Sequence, residues 1–121
     1  MEIKKVKLQE KYDLFSEHWS PKIVWELNGQ FVKIVKVKGD FVMHKHENED
    51  ELFFVIEGLL FIELEDDTLE IKPGEFVIIP RGLNHKPYAH KETKILMFEP
   101  KTTLNTGNTE GEMTVRDLEE I

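Results

Sequence analysis

Between Trp25 and Phe98 the chain alternates short apolar runs with polar turn signals. Phe31–Lys38 (FVKIVKVK) is rich in valine and isoleucine and alternates imperfectly. Glu51–Ile56 stops at Glu57-Gly58, Leu59–Glu65 at Asp66-Asp67, Thr68–Lys72 at Pro73-Gly74, and Phe76–Ile79 at Pro80-Arg81-Gly82. His85–His90 and Thr93–Glu99 follow, and Pro100 closes the series. β-Branched and aromatic runs of this length, at this spacing, predict the strands of an all-β sandwich or barrel. Leu8–Glu17 predicts one short helix, which Pro21 keeps from continuing. Gly58 and Gly74 fall at turns that favour a positive φ. Beyond Pro100 the chain is polar and turn-rich, which predicts a surface strap ending in one helical turn at Val115–Ile121. No repeat or linker divides the sequence. The expectation is a single domain over 1–121, with an N-terminal extension (1–24), a barrel core (31–99) and a C-terminal strap (100–121).

Length agrees with that reading: 121 residues match one domain and suffice for a real core. Charge narrows the function classes. Residues 1–40 hold eight lysines against six acids, whereas 41–121 hold eight basic against eighteen acidic residues. A formal net charge of −8 argues against nucleic-acid binding, which needs basic groups to displace phosphate counterions. It argues equally against a polybasic membrane anchor. The apolar runs are far below the ~20 residues of a spanning helix. Met1–Lys11 lacks the apolar region of a signal peptide, so the expected location is the cytoplasm.

With no cysteine, disulfides, thiolate metal sites and thiol nucleophiles are excluded. Ser16 and Ser20 are the only serines and neither lies in a Gly-x-Ser-x-Gly elbow. Glycine-rich phosphate loops are absent. Five histidines among many carboxylates point instead to a metal site of nitrogen and oxygen donors.

His44 and His46 are two apart, so on a strand both imidazoles face one way. Glu51 opens the next apolar run, and a hairpin at the intervening acidic turn would return it to the histidines. His85 opens a later strand after Pro80-Arg81-Gly82. Three imidazoles and a carboxylate converging in a barrel, with open positions, suit Fe(II), Mn(II), Ni(II), Zn(II) or Cu(II) better than calcium or magnesium. His90 has the opposite strand parity to His85 and should face away. Glu47, Glu49 and Asp50 read as a solvated turn, and His18 as packing or a cap.

These residues carry a resemblance. Gly39, His44, His46, Glu51 and Gly58 resemble the first cupin motif, and Gly74, Pro80, Gly82 and His85 resemble the second. Four residues separate Gly39 from His44 where the cupin pattern has five, and Ala89 stands where the second motif has asparagine. The likeness to small single-domain cupins implies a double-stranded β-helix, or jelly-roll barrel, binding one divalent transition metal through His44, His46, Glu51 and His85. It also implies a homodimer, and a candidate catalytic role for Glu51 as a base that leaves the metal. Such proteins are often labelled mannose-6-phosphate-isomerase-like, but a shared barrel does not transfer a substrate.

Parity then outlines the pocket. Val42 should point inward with the histidines, Phe53 and Val55 with Glu51, and Pro87 and Ala89 with His85. A polar metal cluster in an apolar pocket suits a small, partly apolar molecule bearing one or two oxygens. It suits a phosphosugar poorly, because no lysine or arginine is expected nearby. An inward acid or base besides Glu51 would require Tyr88 or Glu99 to reach the mouth. Three functions remain open: a metal-dependent enzyme of oxygenase type, a non-catalytic metal or metabolite binder, or a sugar or sugar-phosphate isomerase. The outward row Leu52, Phe54 and Ile56 is too apolar for water and predicts a covering sheet or a two-fold partner.

Overall fold

The structure, a computed structural model, describes residues 2–121. A short helix, α1 (Leu8–Tyr12), precedes β1 (Lys22–Leu27), β2 (Gln30–Asp40), β3 (Glu51–Glu57), β4 (Leu60–Glu63), β5 (Thr68–Ile71), β6 (Phe76–Ile79), β7 (Lys86–Pro100) and β8 (Glu119–Glu120).

Two long strands build the barrel by serving both of its layers. β2 and β7 pair antiparallel from Gln30↔Pro100 to Asp40↔Tyr88. The first part of β7 takes β4 as its other neighbour, from Phe61↔Tyr88 to Glu63↔Lys86. Its second part takes β3, from Leu52↔Phe98 to Glu57↔Lys94. One layer therefore runs β6-β3-β7-β2-β1-β8 and the other β5-β4-β7-β2. The β2–β7 register shifts between Val37 and Gly39, the kind of irregularity that bends a strand from one layer into the next. This is the expected all-β jelly roll with a short N-terminal helix.

The period-2 pattern sorts side chains between two cores. Val35, Val37, Phe53, Val55, Leu60 and Ile62 fill the space between the layers. Tyr12, Phe15, Val24 and Ile34 form a second cluster outside, with Ile56 and Leu96 against it. The N-terminal segment thus covers part of the outward row that was expected to need another sheet or subunit. Leu52 and Phe54 stay half-buried beside Phe76 and Ile78 of β6, which are 62 % and 53 % exposed.

Local structure departs from the sequence reading in three places. His85–His90 and Thr93–Glu99 are not two strands but the single strand β7. The polar stretch between them needs no turn, because Thr93 is buried and its hydroxyl accepts a hydrogen bond from the Leu59 amide at 3.1 Å. The helix ends at Tyr12 rather than Glu17, since the Phe15 carbonyl goes to the Lys36 ammonium at 2.6 Å instead of to a further turn. Val115–Ile121 makes no helical turn. The open edge of β1 offers it strand partners, so β8 pairs parallel at Lys22↔Glu119 and Ile23↔Glu120, and the Ile121 amide donates to the Ile23 carbonyl at 3.0 Å. Among the described residues, no helix is long and apolar enough to cross a membrane.

Candidate metal centre

The barrel brings His44, His46, Glu51 and His85 together although they come from three separate stretches of chain. One ligand atom from each lies within 4.8 Å of the others, and all four residues are buried. His44 and His85 are fixed to one another by backbone. The His44 amide donates to the His85 carbonyl at 3.0 Å and the His85 amide to the His44 carbonyl at 2.8 Å. The Gly82 amide donates to the His46 carbonyl at 2.7 Å, which ties the Pro80-Arg81-Gly82 turn to the same segment. Glu51 enters as the first residue of β3, opposite Ile79.

Ring orientation is set one shell further out. A carbonyl can only accept, so Nδ1 of His44 carries the proton it donates to Val42 O, and Nδ1 of His85 the proton it donates to Leu83 O, both at 2.9 Å. Both Nε2 atoms are thereby left facing inward as lone-pair donors, the arrangement metal-binding imidazoles ordinarily show. Glu51 sits between two imidazoles: its Oε1 lies 3.1 Å from His85 Nε2 and its Oε2 lies 3.3 Å from His46 Nε2. The His46 nitrogen is out of line for a hydrogen bond and has no partner. Lone pairs facing a carboxylate at such distances repel unless a cation, a proton or a metal ion, lies between them. The donor set therefore fits a divalent transition metal.

Electrostatics agree. Burial, with the neighbouring His85 and His46 rings, pushes His44 down to about 4, so it is a neutral ligand near pH 7. Burial alone would raise Glu51, but a positive charge shared with His46 and His85 outweighs it and holds its carboxyl below the usual range.

The expected pocket is partly corrected. Phe53 and Pro87 line the cavity beside the cluster. Val55 and Ala89 are buried with Phe53 in the core between the layers. Val42 is only half-buried, because the alternation lapses once β2 ends at Asp40. Phe41 takes the inward place, stacked on Trp19 at 4.8 Å and edge-on to His44 at 5.4 Å. His90 is exposed, packing on Phe61 and Tyr88, and so faces away as expected.

Sequence reasoning left Glu99 conditional and missed Lys33, its partner. Both are buried, and Lys33 Nζ donates to Glu99 Oε1 at 2.7 Å. Glu99 lines the cavity, and burial together with the charge on Glu51 raises its carboxyl well above the ordinary value, against the pull of Lys33. The signal was present in two strand patterns. Lys33 shares parity with Val35 and Val37, and Glu99 with Ile95 and Met97, so each charge sits on an otherwise apolar inward face. Tyr88 does not join them; it stacks on Phe61 at 5.1 Å.

The strap completes the wall. Asn105 lines the cavity, and its side chain is held by the Met113 carbonyl and the Val115 amide, both at 2.9 Å. Asn108 pairs with Lys45: its amide donates to the Lys45 carbonyl at 3.1 Å, and its Oδ1 accepts from the Lys45 amide at 2.9 Å.

A jelly-roll barrel with three histidines and a glutamate gathered in its interior is the arrangement of a cupin. The chain belongs to that family: the Cupin domain model matches residues 31–99. Bacillus subtilis YdbB is 34% identical over 77 residues, spanning 63% of this chain and 68% of that protein. A cupin-2 domain containing protein from Shewanella frigidimarina, solved by crystallography, is 43% identical, with a TM-score of 0.79 over 79% of this chain and 94% of that one. The crystal structure of NMB1881 from Neisseria meningitidis, at 24% identity and a TM-score of 0.74, shares the fold over 81% of this chain and all of that one.

Proposed function

We propose that this cupin is a metal-dependent enzyme acting on a small, partly apolar, oxygen-bearing molecule. The observation that carries the reading is a second buried carboxyl group, Glu99, on the wall of the cavity that His44 and Glu51 of the cluster also line. An inward acid beyond the ligands is a feature that favours catalysis over simple metal storage. Catalysis needs such a group to hold or move a proton beside the reacting atoms. A metal bound by the four residues would supply Lewis acidity or, if redox-active, oxygen chemistry. Around it, Phe41, Phe53, Ile95 and Met97 exclude water, and Glu51 and Glu99 present carboxyl oxygens to whatever enters. No lysine or arginine lines the cavity among the described residues, which disfavours a phosphorylated substrate.

The test is turnover. Protein reconstituted with iron, manganese, nickel, zinc or copper is offered diols, thiols and keto acids, with oxygen uptake and product formation followed. Metal-dependent turnover of a neutral oxygenated compound is expected. Tight stoichiometric metal with no turnover across the panel would favour the non-catalytic binder.

We also propose that the protein is a two-fold homodimer, formed by the outer face where Phe76 and Ile78 flank the half-buried Leu52 and Phe54. An exposed apolar patch on a sheet face is the usual mark of an interaction surface. Light scattering at micromolar concentration should give twice the 14.3 kDa chain mass, and Ile78→Lys should shift the protein to monomer. A wild-type monomer would refute the dimer.

A further inference from the structure

Trp19 lines the cavity in a conformation few bulky residues adopt. Its φ is 59°, in the left-handed region, where a Cβ crowds the backbone. Such outliers persist only where neighbouring contacts enforce them, and they gather at ligand clamps and switches. Here the Trp19 amide donates to the Lys36 carbonyl at 2.9 Å, and the indole Nε1 to the Lys38 carbonyl at 2.8 Å. The ring stacks on Phe41 at 4.8 Å, and Phe41 meets the His44 imidazole edge-on at 5.4 Å. The indole is therefore one ring removed from the metal cluster.

It also stands where the cavity meets solvent. The side chains that line the cavity are buried, except for Trp19 and Asn105, which are half-buried. Asn105 is fixed, because its amide bonds to the strap backbone through both its nitrogen and its oxygen. The backbone on either side of Trp19 is anchored too. His18 Nε2 lies 2.8 Å from Glu92 Oε1, and Pro21 is buried in the cavity wall. The indole itself is free to move, since its Nε1 bond is exposed and water can replace the carbonyl. Some part of the wall must move, because the free volume is only about 30 Å³, room for a water molecule or two. Pockets that enclose an organic ligand ordinarily offer roughly 300–1,000 Å³.

We propose that Trp19 is the door of the cavity and its specificity-determining residue. The indole swings out to admit a ligand. It recloses onto Phe41 only when the part of the molecule beyond its metal-binding oxygens is small. A ring or a branched tail holds the door open and forfeits both the Phe41 stack and the Lys38 hydrogen bond. This rests on the metal cluster and the small-molecule reading above, and it narrows the ligand to compact, unbranched, oxygen-bearing molecules.

The test uses zinc-loaded full-length protein and two probes, acetohydroxamic acid and benzohydroxamic acid. They share one metal-chelating head and differ in a methyl against a phenyl tail. Calorimetry gives both affinities, and metal content is measured for each sample. In Trp19→Ala the ratio of benzohydroxamate to acetohydroxamate affinity should rise about tenfold or more over the wild type, the scale on which a pocket wall discriminates by size. Comparing ratios cancels the greater apolarity of the phenyl tail. A second measurement leaves the door in place: Trp25→Phe makes Trp19 the only tryptophan. Its emission should hold its position with acetohydroxamate and shift to the red with benzohydroxamate, as the indole enters water. The proposal is overturned if the affinity ratio is the same in wild type and Trp19→Ala, if the Trp19 emission does not shift with benzohydroxamate, or if neither probe binds the zinc-loaded protein. Turnover is not read, so none of these results bears on the enzyme reading. A protein that takes up no zinc overturns the door and the metal assignment together.

Discussion

Saturating the metal-free protein with a divalent transition ion should raise its melting temperature by more than about 10 °C, and a chelator should reverse the gain. A ligand that binds only the folded state, at a thousand times its dissociation constant, stabilises by about 4 kcal/mol. In a domain of this size each kcal/mol moves the midpoint by several degrees. Two inward Nε2 lone pairs beside a buried carboxylate also make the metal-free state costly, since nothing but a proton can then relieve their repulsion. The same titration with calcium or magnesium should give little or no shift, because imidazole is the majority donor. Differential scanning calorimetry with and without each ion measures both outcomes.

Gly107→Ala should cost roughly 2–4 kcal/mol, combining overpacking with a strained left-handed backbone. Gly107 has φ of 53°, and a Cβ there would overlap the Lys45 carbonyl and lie 3.1 Å from the His44 ring. The Lys45 backbone cannot retreat, because it pairs with Asn108 and lies between His44 and His46. The strap must therefore lift, loosening His44. The variant should melt lower than the wild type and hold its metal more weakly; urea denaturation and metal competition measure the two effects separately. Wild-type stability in the variant would show that the strap does not press on the site.

These two expectations draw on features of different legibility. The cluster is legible because its spacing is local: two histidines two apart, a glutamate five further on, and a histidine after a Pro-x-Gly turn each read from a few neighbours. The jelly roll follows from turn signals at regular intervals for the same reason. Val42 misleads because parity holds only inside a strand, and the chain leaves β2 at Asp40. Lys33 and Glu99 are harder, since a charged residue at an inward position becomes an ion pair only when β2 and β7 are in register, with Phe31 opposite Glu99 and Lys33 opposite Met97. The strap is hardest. Asn105, Gly107 and Asn108 reach the His44–His46 segment across about sixty residues of sequence, a contact that no periodicity encodes.

The role of Glu51 follows from its place between His46 and His85. Held below the usual carboxylate range by those neighbours, it is ionised near pH 7 and offers two oxygens to a cation. Glu99, pushed the other way by burial and by Glu51, is a carboxyl of different character a short distance along the same wall. Two carboxyl groups displaced in opposite directions within one apolar cavity are a common basis for separate binding and proton-handling roles.

The central claim is that His44, His46, Glu51 and His85 hold one divalent ion. Inductively coupled plasma analysis of the purified wild type and of His46→Ala/His85→Ala, both reconstituted with the same metal and then desalted, tests it most directly. About one ion per chain in the wild type is expected, and essentially none in the variant, with the β-sheet circular dichroism of the two alike. Equal stoichiometric metal in both proteins would contradict the account.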